Sequence, residues 1–231
     1  MPFNKKGTRE MKVPAWSYSS IKLFDQCPKK YYHLRVIKDV KEPPTEAIAY
    51  GKEFHSAAEH YVRDNVPLPP QFAFVKSALD NLKSLPGDKH CEFEMALNEN
   101  LEPCGFKDPE VWWRGIADLL VIDGEDARVL DYKTGKSAKY ADTDQLELMA
   151  LAIFKHFPQV KKVKAGLFFV ISKNFIKDSY SAENQDKMWG KWLAEFNRLK
   201  LSYKNDVWNP RPSGLCKKHC LVMECPHNGR N

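Results

Sequence analysis

The stretch from Val111 to Lys136 constrains the fold more than any other part of this chain. It contains two apolar runs, Ile116 to Ile122 and Arg128 to Tyr132, separated by the sequence Asp-Gly-Glu-Asp. Glycine tolerates positive φ angles and aspartate hydrogen-bonds its own backbone, so this pattern is typical of a tight turn. The stretch therefore predicts a β-hairpin of two largely buried strands.

Two carboxylates lie in this hairpin where a buried strand rarely carries a charge. Asp118 interrupts the first apolar run, and Asp131 ends the second. Lys133 follows on the same face as Asp131, because strand side chains alternate. A buried charge is costly unless it is paired or bound to a metal ion. The pattern suits a divalent cation beside a water and a phosphate. The alternative is a structural role, because a strand with an ordinary salt bridge would contain the same residues.

The composition favours a folded domain that does not cross a membrane. Of 231 residues, 43% are hydrophobic and 12% aromatic, which is enough for a core and excludes global disorder. The net charge of +6 is compatible with a nucleic-acid partner. No run approaches the roughly 18 apolar residues of a membrane span, and the start has no signal peptide. We therefore expect a reducing cytoplasm, in which the six cysteines are thiols or metal ligands.

Residues 1–16 are expected to form a flexible lead, and helices are expected on both sides of the hairpin. One helix begins near Ser17, and a second runs from 45 or 46 to about 64 with His55 on the rim of its apolar side. A helix after the hairpin begins near Asp142, and Gln145 stands where it can complete a capping box. A last amphipathic helix contains the apolar residues from Met188 to Leu199.

Two further strands complete the predicted sheet. Cys91 to Leu97 alternates apolar and polar residues and precedes the hairpin, whereas 163–171 is a nearly continuous apolar run that follows the central helix. Three consecutive strands favour an antiparallel meander, and a helical crossover favours a parallel fourth strand. We predict an α/β fold with a mixed central β-sheet flanked by helices, in one domain over residues 17–231.

Three cysteines crowd the C-terminal stretch 210–228, which indicates a bound metal ion or cluster in a chain without secretory features. Two completions are open. A local zinc site would use Cys216, Cys220 and Cys225 with His227 or His219. A long-range site would add Cys27 as a fourth thiolate, as a [4Fe-4S] cluster requires. Either site would be structural and would tie the chain ends together.

The hairpin motif resembles the RecB-type branch of the PD-(D/E)XK nuclease superfamily. Gly115-Ile-Ala-Asp118, a turn and then Asp131-Tyr-Lys-Thr-Gly135 contain every letter of that branch's core motifs. The resemblance extends to Gly51-Lys-Glu-Phe-His55 and to the Ser-Tyr-Ser start with its Cys27-Pro28 pair. It runs from about Ser17 to His227 and implies a restriction-endonuclease-like core.

The resemblance implies a role for each matched residue. It makes Asp118, Asp131 and Lys133 catalytic, with His55, the two aspartates and the Tyr132 carbonyl as ligands of Mg²⁺ or Mn²⁺. It assigns Gln145 to the DNA backbone, although Met149 replaces the tyrosine expected four residues later. Glu94 is a further acidic candidate near the site, since family members place such a residue on this strand.

The resemblance to AddB and to the CRISPR-adaptation nucleases implies a [4Fe-4S] cluster on Cys27, Cys216, Cys220 and Cys225. The spacing of the last three cysteines departs from the usual C-x-x-C start, which keeps zinc as the alternative. The implied function is that of a metal-dependent DNA nuclease that acts as an exonuclease on single-stranded DNA or DNA ends, with a recombination or repair protein as its partner. The alternatives are a non-catalytic DNA-binding module and a zinc-stapled interaction protein.

Overall fold

A computed structural model describes residues 12–135, 137–139 and 141–230. Most of the expected flexible lead, residues 1–11, lies outside the described residues. The described chain forms two compact units, one over 44–189 and one built from 12–43 with 190–230. The expectation of one domain over 17–231 stays a prediction. None of the described helices combines the length and apolar character that crossing a bilayer requires.

The described residues contain six α-helices and five strands. The helices are α1 (Tyr18–Gln26), α2 (Pro28–Tyr31), α3 (Glu46–Asp64), α4 (Lys76–Lys83), α5 (Asp144–His156) and α6 (Gln185–Asn205). The strands are β1 (Asp88–Leu97), β2 (Trp113–Asp123), β3 (Asp126–Lys133), β4 (Lys162–Phe169) and β5 (Asn174–Ser181). Short 3₁₀ segments and a π-helical turn over Tyr32–Val36 connect some of them.

The five strands form one mixed sheet in the order β1-β2-β3-β4-β5. The first three are an antiparallel meander, and β3 pairs in parallel with β4 after the α5 crossover. Asp123 pairs with Asp126 across the hairpin, and Gly124 takes a φ of +60° that suits glycine. The predicted α/β fold, hairpin, meander and parallel fourth strand are therefore confirmed.

Helix α3 packs on the sheet through an aromatic cluster. Phe54 is fully buried and makes edge contacts with Phe72 at 5.4 Å and with Tyr132 at 5.7 Å between ring centroids. Thr45 caps the helix by accepting from the Ile48 N–H, which agrees with the predicted helix start at 45 or 46. Because Phe54 fixes the rotation of α3, the next residue, His55, is directed toward β2.

The second unit brings the two ends of the described chain together. Tyr31 and Tyr203 share a hydrogen bond of 3.2 Å between their hydroxyls, and Trp208 stacks on Tyr31 with 5.9 Å between centroids. The Arg211 guanidinium pairs with the Asp25 carboxylate at 2.9 Å. These contacts join the segment that contains Cys27 to the segment that contains the C-terminal cysteines.

Two features differ from the sequence-based expectations. The exposed edge strand β5 was not predicted, because only a minority of its side chains are shielded and its letters show no apolar alternation. The capping box of Asp142 and Gln145 is wrong. Thr143 is the N-cap residue of α5, the Asp142 carboxylate accepts from the Asp144 N–H, and the Gln145 amide binds elsewhere.

Candidate active site

His55 and Asp118 form the centre of the candidate site. The distance from His55 Nδ1 to Asp118 Oδ1 is 3.1 Å, and the Asp118 side chain is only 8% exposed. The other carboxylate oxygen of Asp118 accepts a short hydrogen bond from the Tyr132 backbone N–H on the neighbouring strand. Helix α3 and the hairpin thus hold this carboxylate from two sides.

Packing explains why a glycine stands at position 51, at the start of the Gly51-to-His55 segment. A Cβ atom added to Gly51 would lie 3.3 Å from Thr134 Oγ1, which is tighter than most real Cβ contacts. Gly51 therefore lets α3 pass close to the turn that follows Lys133. This approach brings His55 to the hairpin.

Glu92 joins the site, although the sequence drew attention to Glu94. Glu92 Oε1 lies 3.7 Å from His55 Nδ1, and one ligand atom each from His55, Glu92 and Asp118 lie within 4.8 Å of one another. The residue has a φ of +47°, a region that costs a non-glycine residue about 1 kcal/mol or more. Glu94 is exposed and pairs with Ile116, further along the strand.

The pKa values of Asp118 and His55 are both raised in this site. Burial raises the pKa of Asp118 to about 6, and the nearby Asp131 charge adds to this, while His55 and the Tyr132 N–H oppose it. Burial lowers the pKa of His55, but hydrogen bonds and charges from Asp118 and Glu92 outweigh it and raise that pKa to about 10. Without a bound metal ion and near neutral pH, the proton therefore resides on the His55 imidazole rather than on the Asp118 carboxylate.

Asp131, Lys133 and Gln145 form a second group beside the first. Asp131 Oδ2 lies 2.6 Å from Lys133 Nζ, and Asp131 Oδ1 accepts from Gln145 Nε2 at 2.6 Å. Lys133 Nζ donates to Gln145 Oε1 at 2.9 Å. The structure therefore brings these three predicted residues together. The Asp131 charge also contributes to the raised pKa of Asp118 on the adjacent strand.

The donor set fits a divalent cation. Asp131 Oδ2 is buried and, despite its ion pair with Lys133, has no well-oriented hydrogen-bond donor among the described residues. Carboxylate oxygens with one imidazole nitrogen are ligands that Mg²⁺ and Mn²⁺ accept. His55, Glu92 and Asp118, whose ligand atoms lie within 4.8 Å of one another, would hold such an ion, and Asp131 on the adjacent strand is the further ligand that the sequence predicts.

The four predicted cysteines lie in one cavity of the second unit. Cys27, Cys216, Cys220 and Cys225 line it together with His227. The Arg211 backbone N–H donates to Cys27 Sγ and the Ser213 N–H donates to Cys216 Sγ, each at 3.4 Å. His219, the other imidazole weighed for zinc, is not among the residues lining this cavity.

A third polar cluster was not predicted. The buried His33 places Nδ1 3.1 Å from Asp39 and Nε2 3.2 Å from Glu224. The three residues are far apart in sequence and follow no ligand spacing, so no sequence pattern pointed to them. The cluster joins the N-terminal segment to the residue before Cys225.

A mixed sheet whose neighbouring strands present two carboxylates and a lysine, beside a helical histidine, defines a restriction-endonuclease-like protein. The chain belongs to the PD-(D/E)XK nuclease superfamily, whose family model matches residues 15–90 and 83–226. This match confirms the predicted superfamily. PD-(D/E)XK nucleases use divalent metal ions.

Two solved structures match most of the chain at low sequence identity. A protein named "Putative exonuclease" from Eubacterium rectale is 11% identical, with a TM-score of 0.51, and the match covers 96% of this chain and 94% of that one. The protein SSO0001 is 13% identical with a TM-score of 0.44, over 96% of this chain and 90% of that one. No curated protein matches the chain.

Proposed function

We propose that this protein is a metal-dependent deoxyribonuclease of the RecB-like branch, which acts as an exonuclease on single-stranded DNA or DNA ends. The observation that carries the proposal is the pairing of His55 with the buried Asp118, beside the Asp131–Lys133 pair on the neighbouring strand, where the Asp131 charge acts on Asp118. Both aspartates are at least nine-tenths buried, a cost that a metal ion would offset. The superfamily match and the neighbour named an exonuclease support the same reading.

Each residue has a separate task in this proposal. Bound Mg²⁺ or Mn²⁺ supplies a Lewis acid for a phosphate oxygen and lowers the pKa of water. Asp118 and Asp131 hold charge of the right sign for such an ion, and His55 offers a nitrogen once it has lost its proton. Lys133 places an ammonium where it can orient water and offset negative charge on the phosphate.

The test is cleavage of end-labelled single- and double-stranded DNA with Mn²⁺ or Mg²⁺. The wild-type protein is expected to shorten the DNA, and Asp131→Asn is expected to lose at least 100-fold in rate, on the order of what removing one charged catalytic group costs. Asp126→Asn is the matched control, because Asp126 is exposed in the same hairpin. DNA binding without cleavage would support a non-catalytic module instead.

We also propose that the four cysteines hold a [4Fe-4S] cluster, with zinc as the alternative. Cys27 lines one cavity with the three C-terminal cysteines, which supports the site of four thiolates that a [4Fe-4S] cluster requires.

The absorbance spectrum and metal content of anaerobically purified protein test this second proposal. A broad band in the visible blue with about four iron atoms per chain is expected for a [4Fe-4S] cluster. A colourless protein with one equivalent of zinc would establish the alternative. A protein that folds without bound metal and does not bind DNA would contradict both the proposed metal site of the cysteines and the proposed nuclease function.

A further inference from the structure

Three side chains of the candidate site form a closed ring. The Gln145 amide donates to Asp131 Oδ1 at 2.6 Å and accepts from Lys133 Nζ at 2.9 Å. Lys133 Nζ closes the ring at 2.6 Å from Asp131 Oδ2. Both ends of the glutamine side chain are therefore engaged within the protein, and each end faces a residue of the proposed chemistry.

Gln145 is carried by a rigid element. It lies in the first turn of α5, and the residues that follow, Leu146, Leu148 and Met149, are buried against the sheet. A group on a packed helix holds its position better than one on a loop. The amide of Gln145 is therefore a fixed point against which more mobile side chains can be held.

Lys133 is the flexible side chain that the Gln145 amide can hold in place. Its side chain is 34% exposed and has a flexible four-carbon stem. Asp131 alone would hold it only while that carboxylate is not occupied by a cation. The neutral oxygen of Gln145 does not attract a divalent ion as strongly as a carboxylate does, so it can keep the ammonium in place throughout.

We propose that Gln145 is a positioning residue for Lys133 and Asp131, rather than a contact to the DNA backbone. This inference rests on the proposed function of the same site. Gln145 selects one position for the Lys133 ammonium and one rotamer for the Asp131 carboxylate. Its loss would slow cleavage without weakening the hold on DNA.

The test uses Gln145→Met, which keeps length and removes both hydrogen bonds. Gln71→Met is the matched control, because Gln71 is an exposed glutamine of the same unit that bonds Glu53. Gln145→Met is expected to lower kcat at least tenfold, with KM and the Kd for DNA within twofold of wild type. A raised KM and Kd with an unchanged kcat would overturn the proposal in favour of DNA contact.

A second readout needs neither metal nor DNA. Amine acylation of Lys133 in the metal-free protein, followed by mass spectrometry, is expected to be at least threefold faster in Gln145→Met and unchanged in Gln71→Met. Equal rates in all three proteins would overturn the proposal. If the wild-type protein cuts no nucleic acid, the proposed function fails, while this labelling still decides whether Gln145 holds Lys133.

A third variant covers the case in which Gln145→Met does not fold. Gln145→Glu keeps the length and the acceptor oxygen for Lys133 and loses the donor to Asp131. The proposal expects the labelling of Lys133 in this variant to stay near the wild-type rate. Acceleration as large as threefold would show that the acceptor does not hold Lys133, which contradicts the proposal.

Discussion

His55 Nδ1 lies 3.1 Å from Asp118 Oδ1, and this pair joins helix α3 to strand β2. Glu92 approaches the same ring nitrogen from β1 at 3.7 Å. The imidazole is thus a cationic partner for two carboxylates in the metal-free protein. The same atoms would be ligands in the metal-bound protein, so proton and metal ion compete for one nitrogen.

The raised pKa of His55 predicts how stability changes with pH in EDTA. The folded pKa of about 10 exceeds the ordinary 6.5, so the stabilisation is complete below pH 6.5 and is lost as the pH rises through 10. Between pH 7 and 9.5, the Tm of the wild type should fall by roughly 2–4 °C more than that of His55→Gln. Parallel Tm curves from circular dichroism would contradict this ion pair.

Glu92 is predicted to matter more for metal affinity than for stability. Glu92→Gly should relieve a positive φ worth about 1 kcal/mol, but it loses the interaction with His55 and frees the unfolded backbone, so the free energy of unfolding should change by less than about 1 kcal/mol, while Mn²⁺ binding weakens on the order of tenfold. Urea unfolding and isothermal titration calorimetry measure the two effects. Glu94→Gly is the control, and an equal loss of Mn²⁺ affinity there would remove Glu92 from the site.

The glycines of the two hairpin motifs are predicted to differ. A Cβ atom on Gly115 would lie 2.6 Å from the ring of the buried Trp113, whereas one on Gly135 meets no atom within 4 Å. Gly115→Ala should therefore cost about 1–3 kcal/mol in urea unfolding, and Gly135→Ala should cost much less. Equal costs would mean that Trp113 does not constrain the Gly115 position.

The cysteine site predicts a selective loss of cofactor. Cys27→Ser should remove most of the bound iron or zinc, measured by elemental analysis, and should lower the Tm. Cys104→Ser is the control, because Cys104 lies outside the cysteine cavity. Full metal retention in Cys27→Ser would leave only the local zinc site that uses His227.

Much of the fold could be predicted because local patterns carry it. Two apolar runs around Asp-Gly-Glu-Asp specify the hairpin, and the apolar stripe of α5 specifies the crossover. Strand β5 was not predicted from the sequence, because an exposed edge strand needs only backbone pairing with β4. Its sequence therefore carries little hydrophobic signal.

The candidate site was predictable where motif letters coincide with contacts. Asp118, Asp131 and Lys133 were predicted from the hairpin pattern and His55 from the resemblance to RecB-type nucleases, and the structure places them in two adjacent groups. Glu92 was passed over because strand alternation places it on the same face as Glu94, and only the backbone conformation separates the two. The Gln145 ring depends on residues 12 and 14 positions apart, which helix capping rules do not detect.

The most direct test of the central claim is the location of Mn²⁺ in crystals of this protein, read from anomalous diffraction. The account predicts a peak within bonding distance, about 2.0–2.4 Å, of carboxylate oxygens from both Asp118 and Asp131. The peak should vanish in Asp131→Asn crystals. Manganese bound only at His33 and Glu224, or nowhere on the hairpin, would contradict the account.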